Sequence, residues 1–229
     1  MARALAEAGA SIVLHASRER AQEAADLIGA ECQVRTACVT ADLSNATAAT
    51  QLVNDAEDAL GPIDILVNNA GIIRRSPAAD YGDAEWDEVI EVNLSSVFRL
   101  CRAAGRGMLQ RRTGKIINIA SLLTFQGGVR VPAYAAAKGG VAQLTKALAN
   151  EWAGSGVNVN AIAPGYMVTD NTEALRQDPV RYADITARIP AGRWGDPADL
   201  AGAVVFLASN AADYVHGHVL VVDGGWMGR

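Results

Sequence analysis

Cysteine and histidine are scarce in this sequence, and they do not cluster together. Three cysteines (Cys32, Cys38, Cys101) and three histidines are spread over 229 residues, with no Cys-x-x-Cys pair and no Cys/His cluster. An odd cysteine count without metal-ligand spacing argues against a disulfide framework or a zinc site, and reads as three reduced thiols in a reducing cytoplasm. No apolar run reaches 18 residues, so no helix is expected to span a bilayer. Basic charge is not in excess. Twenty Lys and Arg against 25 Asp and Glu leave a net charge of −5, which argues against a general nucleic-acid or anionic-membrane binder. The start, Met1 to Glu7, carries charges inside its apolar pattern and does not read as a signal peptide. What is plentiful is apolar material: half of the chain is hydrophobic and a fifth charged, enough to build a buried core and too apolar for a mainly disordered chain.

Apolar runs and helical patterns alternate along the whole length. The first residues read as the second half of a helix that Gly9 terminates. Strands are expected at 11–16, 34–41, 63–67, 115–120, 157–163 and 218–222. Helices are expected at 19–28, 45–60 with Asn45 as a cap, as a pair within 84–112, at 133–153 and at 198–208. This alternation predicts an α/β fold, a Rossmann-like doubly wound parallel sheet with helices on both faces, in one domain over 1–229. Residues 164–195, punctuated by Pro164, Pro179, Pro190 and several glycines, read as an irregular lid, because connections this long are usually functional.

In open parallel sheets, ligands bind beyond the carboxyl ends of the strands. The residues there are Ser17-Arg18, Asp42-Leu43, Asn68-Asn69-Ala70-Gly71, Ser121 and Pro164-Gly165. Tyr134 and Lys138 open the long helix, and at i,i+4 they share one face. A free phenol titrates near pH ~10, and an ammonium one turn away favours its ionised form, which suits proton transfer at neutral pH. Ser121, 13 residues before Tyr134, can donate a hydrogen bond to a substrate oxygen or simply cap the next turn. Asn93 stands in Glu91-Val92-Asn93-Leu94-Ser95.

The order Asn-Asn-Ala-Gly, Asn93, Ser121, Tyr-x-x-x-Lys and Pro164-Gly165 resembles the short-chain dehydrogenase/reductase family, from Met1 to the Asp223-Gly224-Gly225 end. The resemblance implies Tyr134 as general acid/base, Lys138 as the group that lowers its pKa and holds the nicotinamide ribose, Ser121 as the substrate-carbonyl donor, and Asn93 as the holder of a relay water. It implies cofactor contacts at Asp42 and Leu43 by the adenine, Asn69, Ala70 and Gly71 by the adenosine ribose, and Ile162 to Gly165, including Pro164, by the nicotinamide. Val168 would meet the carboxamide and Thr169 the diphosphate. An acid usually ends the second strand where the ribose 2′-hydroxyl of NAD is read; here Ser17 and Arg18 stand there, which suits NADP(H) somewhat better than NAD(H). Homotetramers are expected from the same resemblance, through the 133–153 helix and the 219–226 end.

The family's opening strand and Thr-Gly-x-x-x-Gly-x-Gly turn have no match, so the sheet is expected to be N-terminally incomplete by about 20–25 residues of a βα unit. On that expectation Met1 is an internal methionine of a longer protein, or the chain folds around a gap with impaired cofactor binding.

Several stretches are more specific, among them 69–75, 125–132, 163–167, 188–195 and 222–226. They are similar to the 2-deoxy-D-gluconate 3-dehydrogenase group, also described as 2-dehydro-3-deoxy-D-gluconate 5-dehydrogenases, which act on ring-opened sugar acids. A sugar-acid carboxylate calls for an arginine fork. Of Arg74, Arg75 and Arg130, the last is expected to serve, four residues before Tyr134, with Gln126 and Tyr166 reading sugar hydroxyls. Trp152, Trp194 and Trp226 read as packing residues. The alternatives are a gluconate 5-dehydrogenase-like enzyme, a 3-oxoacyl-thioester reductase, and a catalytically impaired nucleotide-binding protein.

Overall fold

The computed structural model describes residues 1–17 and 21–229. Its elements run α1 (Ala2–Glu7), β1 (Ile12–Ala16), α2 (Ala21–Cys32), β2 (Thr36–Thr40), α3 (Ala48–Leu60), β3 (Ile65–Asn68), α4 (Asp83–Ile90), α5 (Ser96–Arg111), β4 (Gly114–Ile119), α6 (Pro132–Trp152), β5 (Val157–Pro164), α7 (Glu173–Arg176), α8 (Pro179–Arg188), α9 (Ala201–Ala208) and β6 (Val219–Val222). Helix α1 closes as expected: Gly9 N–H donates to the Ala6 carbonyl and Ala10 N–H to that of Leu5, which satisfies carbonyls that the helix end would otherwise orphan.

All strand pairs are parallel. β1 pairs with β2, from Ile12 opposite Thr36 to Ala16 opposite Thr40, and β3, β4, β5 and β6 pair in that order. Among the described residues no ladder joins β1 to β3. The layers nevertheless continue across the break. One apolar cluster gathers Leu14 with Ile65, Val67, Ile117, Ile119 and Ile162 beneath α1, α2 and α9. The other packs Val39 with Leu66, Ile116, Val157 and Val159 against α3, α5 and α6. Period-2 alternation explains the split: in β5, Val157, Val159, Ala161 and Ala163 face one cluster and Ile162 the other.

Segment 164–195 is more ordered than its prolines imply. It contains α7 and α8, because Pro179 falls at the first helical position, where its missing N–H costs nothing. Asp178 caps that helix, accepting from Val180 and Arg181 N–H at 3.0 and 3.1 Å. Between α4 and α5 the chain is π-helical over Glu91–Ser95, which holds Asn93 fully buried. Such π segments concentrate at functional sites. No helix among the described residues is long and apolar enough to cross a membrane.

Candidate active site

Strand β4 ends at Ile119 and its exit turn begins with Ser121. Its Oγ accepts from Leu123 N–H (3.2 Å), capping the following turn, and its hydroxyl is the group that most favours the ionised form of the Tyr134 phenol. Lys138, one turn further along α6, is 4% exposed and donates to the Ile119 carbonyl at 2.6 Å. Its Nζ lies 5.6 Å from the Tyr134 ring centroid. Ser121, Tyr134 and Lys138 thus form one constellation over the end of β4.

The electrostatics differ from the sequence expectation that Lys138 lowers the Tyr134 pKa. Burial raises the phenol above its ordinary value, opposed by the Ser121 hydroxyl and then by the charge of Arg75. Lys138 is itself held down, to about 8, by burial. The reason is geometric: the amine is directed at a backbone carbonyl, and a buried ammonium loses hydration that this single bond does not replace.

Asn93 braces the other wall. Its Nδ2 donates to the Ile72 and Val89 carbonyls, both at 2.9 Å, and its Oδ1 accepts from Ile72 N–H at 3.0 Å. The Asn93 side chain is thus engaged in fixing the turn after β3. Gly71 sits against it. A Cβ there would lie 2.6 Å from Asn93 Oδ1 and 3.8 Å from Lys138 Nζ, so a side chain would intrude on the amine's surroundings.

The expected cofactor positions line the same carboxyl edge. Asn69 and Ala70 are exposed beyond β3, and Ser17 is exposed beyond β1; Arg18 lies outside the described residues. Asp42 is exposed after β2, while Leu43 is buried in the core below it. One oxygen of Asp42 accepts from both Ser44 N–H and Ser44 Oγ, which lowers its pKa and leaves the second oxygen open. Pro164 closes β5, and Gly165 approaches Asp223 so tightly that a Cβ would come within 2.6 Å of its Cα. Val168 is exposed, but its N–H already donates to the Gly195 carbonyl (2.8 Å), so its carbonyl is the backbone group open to a ligand. Thr169 caps the turn before α7.

The arginines sort themselves. Arg74 is committed to Glu88 through two bonds, at 2.8 and 3.0 Å. Arg130 is exposed with a left-handed φ of 64°, and makes no side-chain hydrogen bond among the described residues. Arg75 is the cation whose charge reaches Tyr134, and it also donates to the Asn171 carbonyl of segment 164–195 (3.0 Å). Sequence spacing favours Arg130, because adjacency along a chain is visible and a field across a cleft is not. Gln126 is bonded to Trp226, and Tyr166 packs edge-on against Trp194 and tilted against Trp226, with centroids 5.4 and 4.7 Å away.

A family model described as enoyl-(acyl carrier protein) reductase matches residues 1–227. The chain belongs to the short-chain dehydrogenase/reductase family. It is 52% identical over 233 residues to the 2-dehydro-3-deoxy-D-gluconate 5-dehydrogenase of Bacillus subtilis, covering 100% of this chain and 89% of that protein. The enzyme of the same name from Pseudoalteromonas atlantica is 60% identical over 188 residues, 82% of this chain and 74% of that one. A gluconate 5-dehydrogenase from Burkholderia cenocepacia, solved in complex with NADP and tartrate, matches at TM-score 0.93 and 40% identity over 100% of this chain and 89% of its own. Within the short-chain dehydrogenase/reductase fold, these likenesses run through both apolar clusters and the edge that carries Tyr134.

Proposed function

We propose that the chain is an NAD(P)-dependent oxidoreductase. It transfers a hydride between a nicotinamide cofactor and a secondary alcohol or ketone of a ring-opened sugar acid, as in the 2-deoxy-D-gluconate 3-dehydrogenase group. One observation carries the reading: the Tyr134 phenol, close enough to Ser121 to feel its hydroxyl, lies one helical turn from a buried Lys138 amine. A phenol beside a serine hydroxyl can pass a proton to, or take it from, an oxygen held by that serine. Ser121 orients the substrate oxygen and Tyr134 moves its proton. Lys138 has three donors and spends one on Ile119, so two remain for ribose hydroxyls. Asn93 fixes the turn that carries Gly71, and a relay water behind Lys138 is assigned to Asn93 by the family resemblance.

The residues present fit the adenosine and nicotinamide halves of a dinucleotide. Gly71 keeps open the space in front of Lys138, the free Asp42 oxygen with Leu43 beside it suits an adenine amino group, and Asn69 and Ala70 border the ribose. Pro164, Gly165, Val168 and Thr169 border the nicotinamide and diphosphate. When bound, the cofactor supplies the hydride acceptor or donor. NADP(H) is favoured over NAD(H), because Ser17 and Arg18, and no acid, directly follow β1 in the sequence.

For the carboxylate of the substrate, Arg75 is the clamp favoured by its field at Tyr134, with Arg130 second. Gln126 and Tyr166 face sugar hydroxyls. We read 1–229 as one catalytic domain with 164–195 as its lid, in a cytoplasmic homotetramer. An exposed Phe98 under Arg102, an exposed Phe206 and the β6 edge support the subunit contacts. A panel of 2-deoxy-D-gluconate, D-gluconate and an acetoacetyl thioester, with NAD(H) and NADP(H), tests the reading. Turnover of the thioester alone would replace it with the reductase alternative, and nucleotide binding without turnover of any member of the panel with the impaired-protein alternative.

A further inference from the structure

We infer that Trp226, outside the catalytic constellation, is a positioning residue that sets specificity by fixing the amide of Gln126. The inference rests on the sugar-acid reading above. The indole N–H of Trp226 donates to Gln126 Oε1 at 3.2 Å. An indole can only donate, so the amide must turn its oxygen toward Trp226 and its NH2 group away. That NH2 group makes no hydrogen bond among the described residues and is not among the buried polar atoms left without a partner. Two donors are therefore held ready, five residues after Ser121, for an oxygen that accepts. The hydroxyls and carboxylate of a sugar acid offer such oxygens; an acyl chain does not.

The indole is itself immobilised. Trp226 is 5% exposed and shares a buried cluster with Leu122, the neighbour of Ser121, and with Ile185, Ile189 and Trp194. Tyr166 packs on one side of it, and the Arg188 guanidinium lies 3.9 Å from its ring centroid. The turn that delivers it is rigid. Asp223 accepts from the N–H groups of Gly225 and Met227, both at 2.8 Å, and Gly224 and Gly225 adopt φ of 65° and 93°, which side-chain-bearing residues rarely tolerate. Segment 164–195, the Ser121 turn and the C-terminal turn therefore meet at one ring, whose N–H orients the donor.

The test compares W226F, Q126L, Q126E and the W226F/Q126L double variant in the full chain. Its readouts are steady-state kinetics with 2-deoxy-D-gluconate and D-gluconate, and the Trp226 indole 15N–1H resonance. W226F keeps an aromatic ring under Arg188 and removes the N–H. Its KM should rise about tenfold, the loss of one oriented hydrogen bond, with kcat held within about twofold. Q126L should match it, and the double variant should lose no more than Q126L alone. Q126E keeps an acceptor for the indole but removes the donors, so it should raise KM while leaving the resonance in place. An unchanged KM in W226F, multiplicative losses in the double variant, or an indole resonance that does not move in Q126L would overturn the inference. If the wild type turns over no sugar acid, the substrate reading fails instead, and the indole resonance still decides whether Gln126 holds Trp226.

Discussion

Replacing Lys138 with methionine should make the cofactor-free protein more stable while abolishing its activity. The lysine sits buried with its pKa lowered from 10.5 to about 8. Unfolding therefore takes up a proton between those two values, so wild-type stability rises with pH across that window. Below pH 8 the folded state carries the full cost of a buried ammonium, about 3 kcal/mol for a shift of this size. Methionine removes that cost and also the bond to the Ile119 carbonyl, which returns about 1 kcal/mol. The net gain at pH 7 is about 2 kcal/mol, which raises Tm by about 5 °C in a chain of this length. By pH 9.5 nearly all of the folded wild-type lysine is neutral, and the difference should shrink by about 2 kcal/mol. Thermal or urea unfolding of both proteins at pH 7 and 9.5, without nucleotide, measures this directly. A K138M protein less stable than wild type at pH 7, or a difference that does not change with pH, would refute the reasoning.

Three further outcomes follow from the same geometry. Y134F should lower kcat by about 10² to 10⁴, the usual contribution of a positioned acid or base, with NADP(H) affinity within a fewfold of wild type by nicotinamide fluorescence. R75M should raise KM for sugar acids at least tenfold, whereas R130M should change it less; the reverse order would give the clamp to Arg130. G71A should weaken nucleotide binding about tenfold or more, since its methyl group would stand 2.6 Å from Asn93 Oδ1 and must displace it; wild-type titration curves would show that the wall is looser than described.

The alternation of strands and helices was legible because parallel strands buried on both faces read as short apolar runs: β4 and β5 lie where the pattern puts them. Segment 164–195 was harder, because its prolines look like helix breakers. The Asp178-Pro179 pair that starts α8 is a helix-entry signal, and weighing it would have recovered that helix. Tyr134 and Lys138 were legible because four residues along a helix place two side chains on one face whatever surrounds them. Ser121 was legible from its place at a strand end.

Local sequence could not supply what depends on distance through space. The order of residues determined that this chain forms a parallel α/β layer with a tyrosine and a lysine at its carboxyl edge, since hydrophobic period and helical spacing are local properties. Tertiary structure alone decided that Arg75 and not its neighbour Arg74 acts on the phenol, that Asn93 is spent on Ile72, and that Trp226 reaches back 100 residues to Gln126. Charge, desolvation and hydrogen-bond direction are set by whatever packs nearby, and packing brings together residues that the chain keeps far apart.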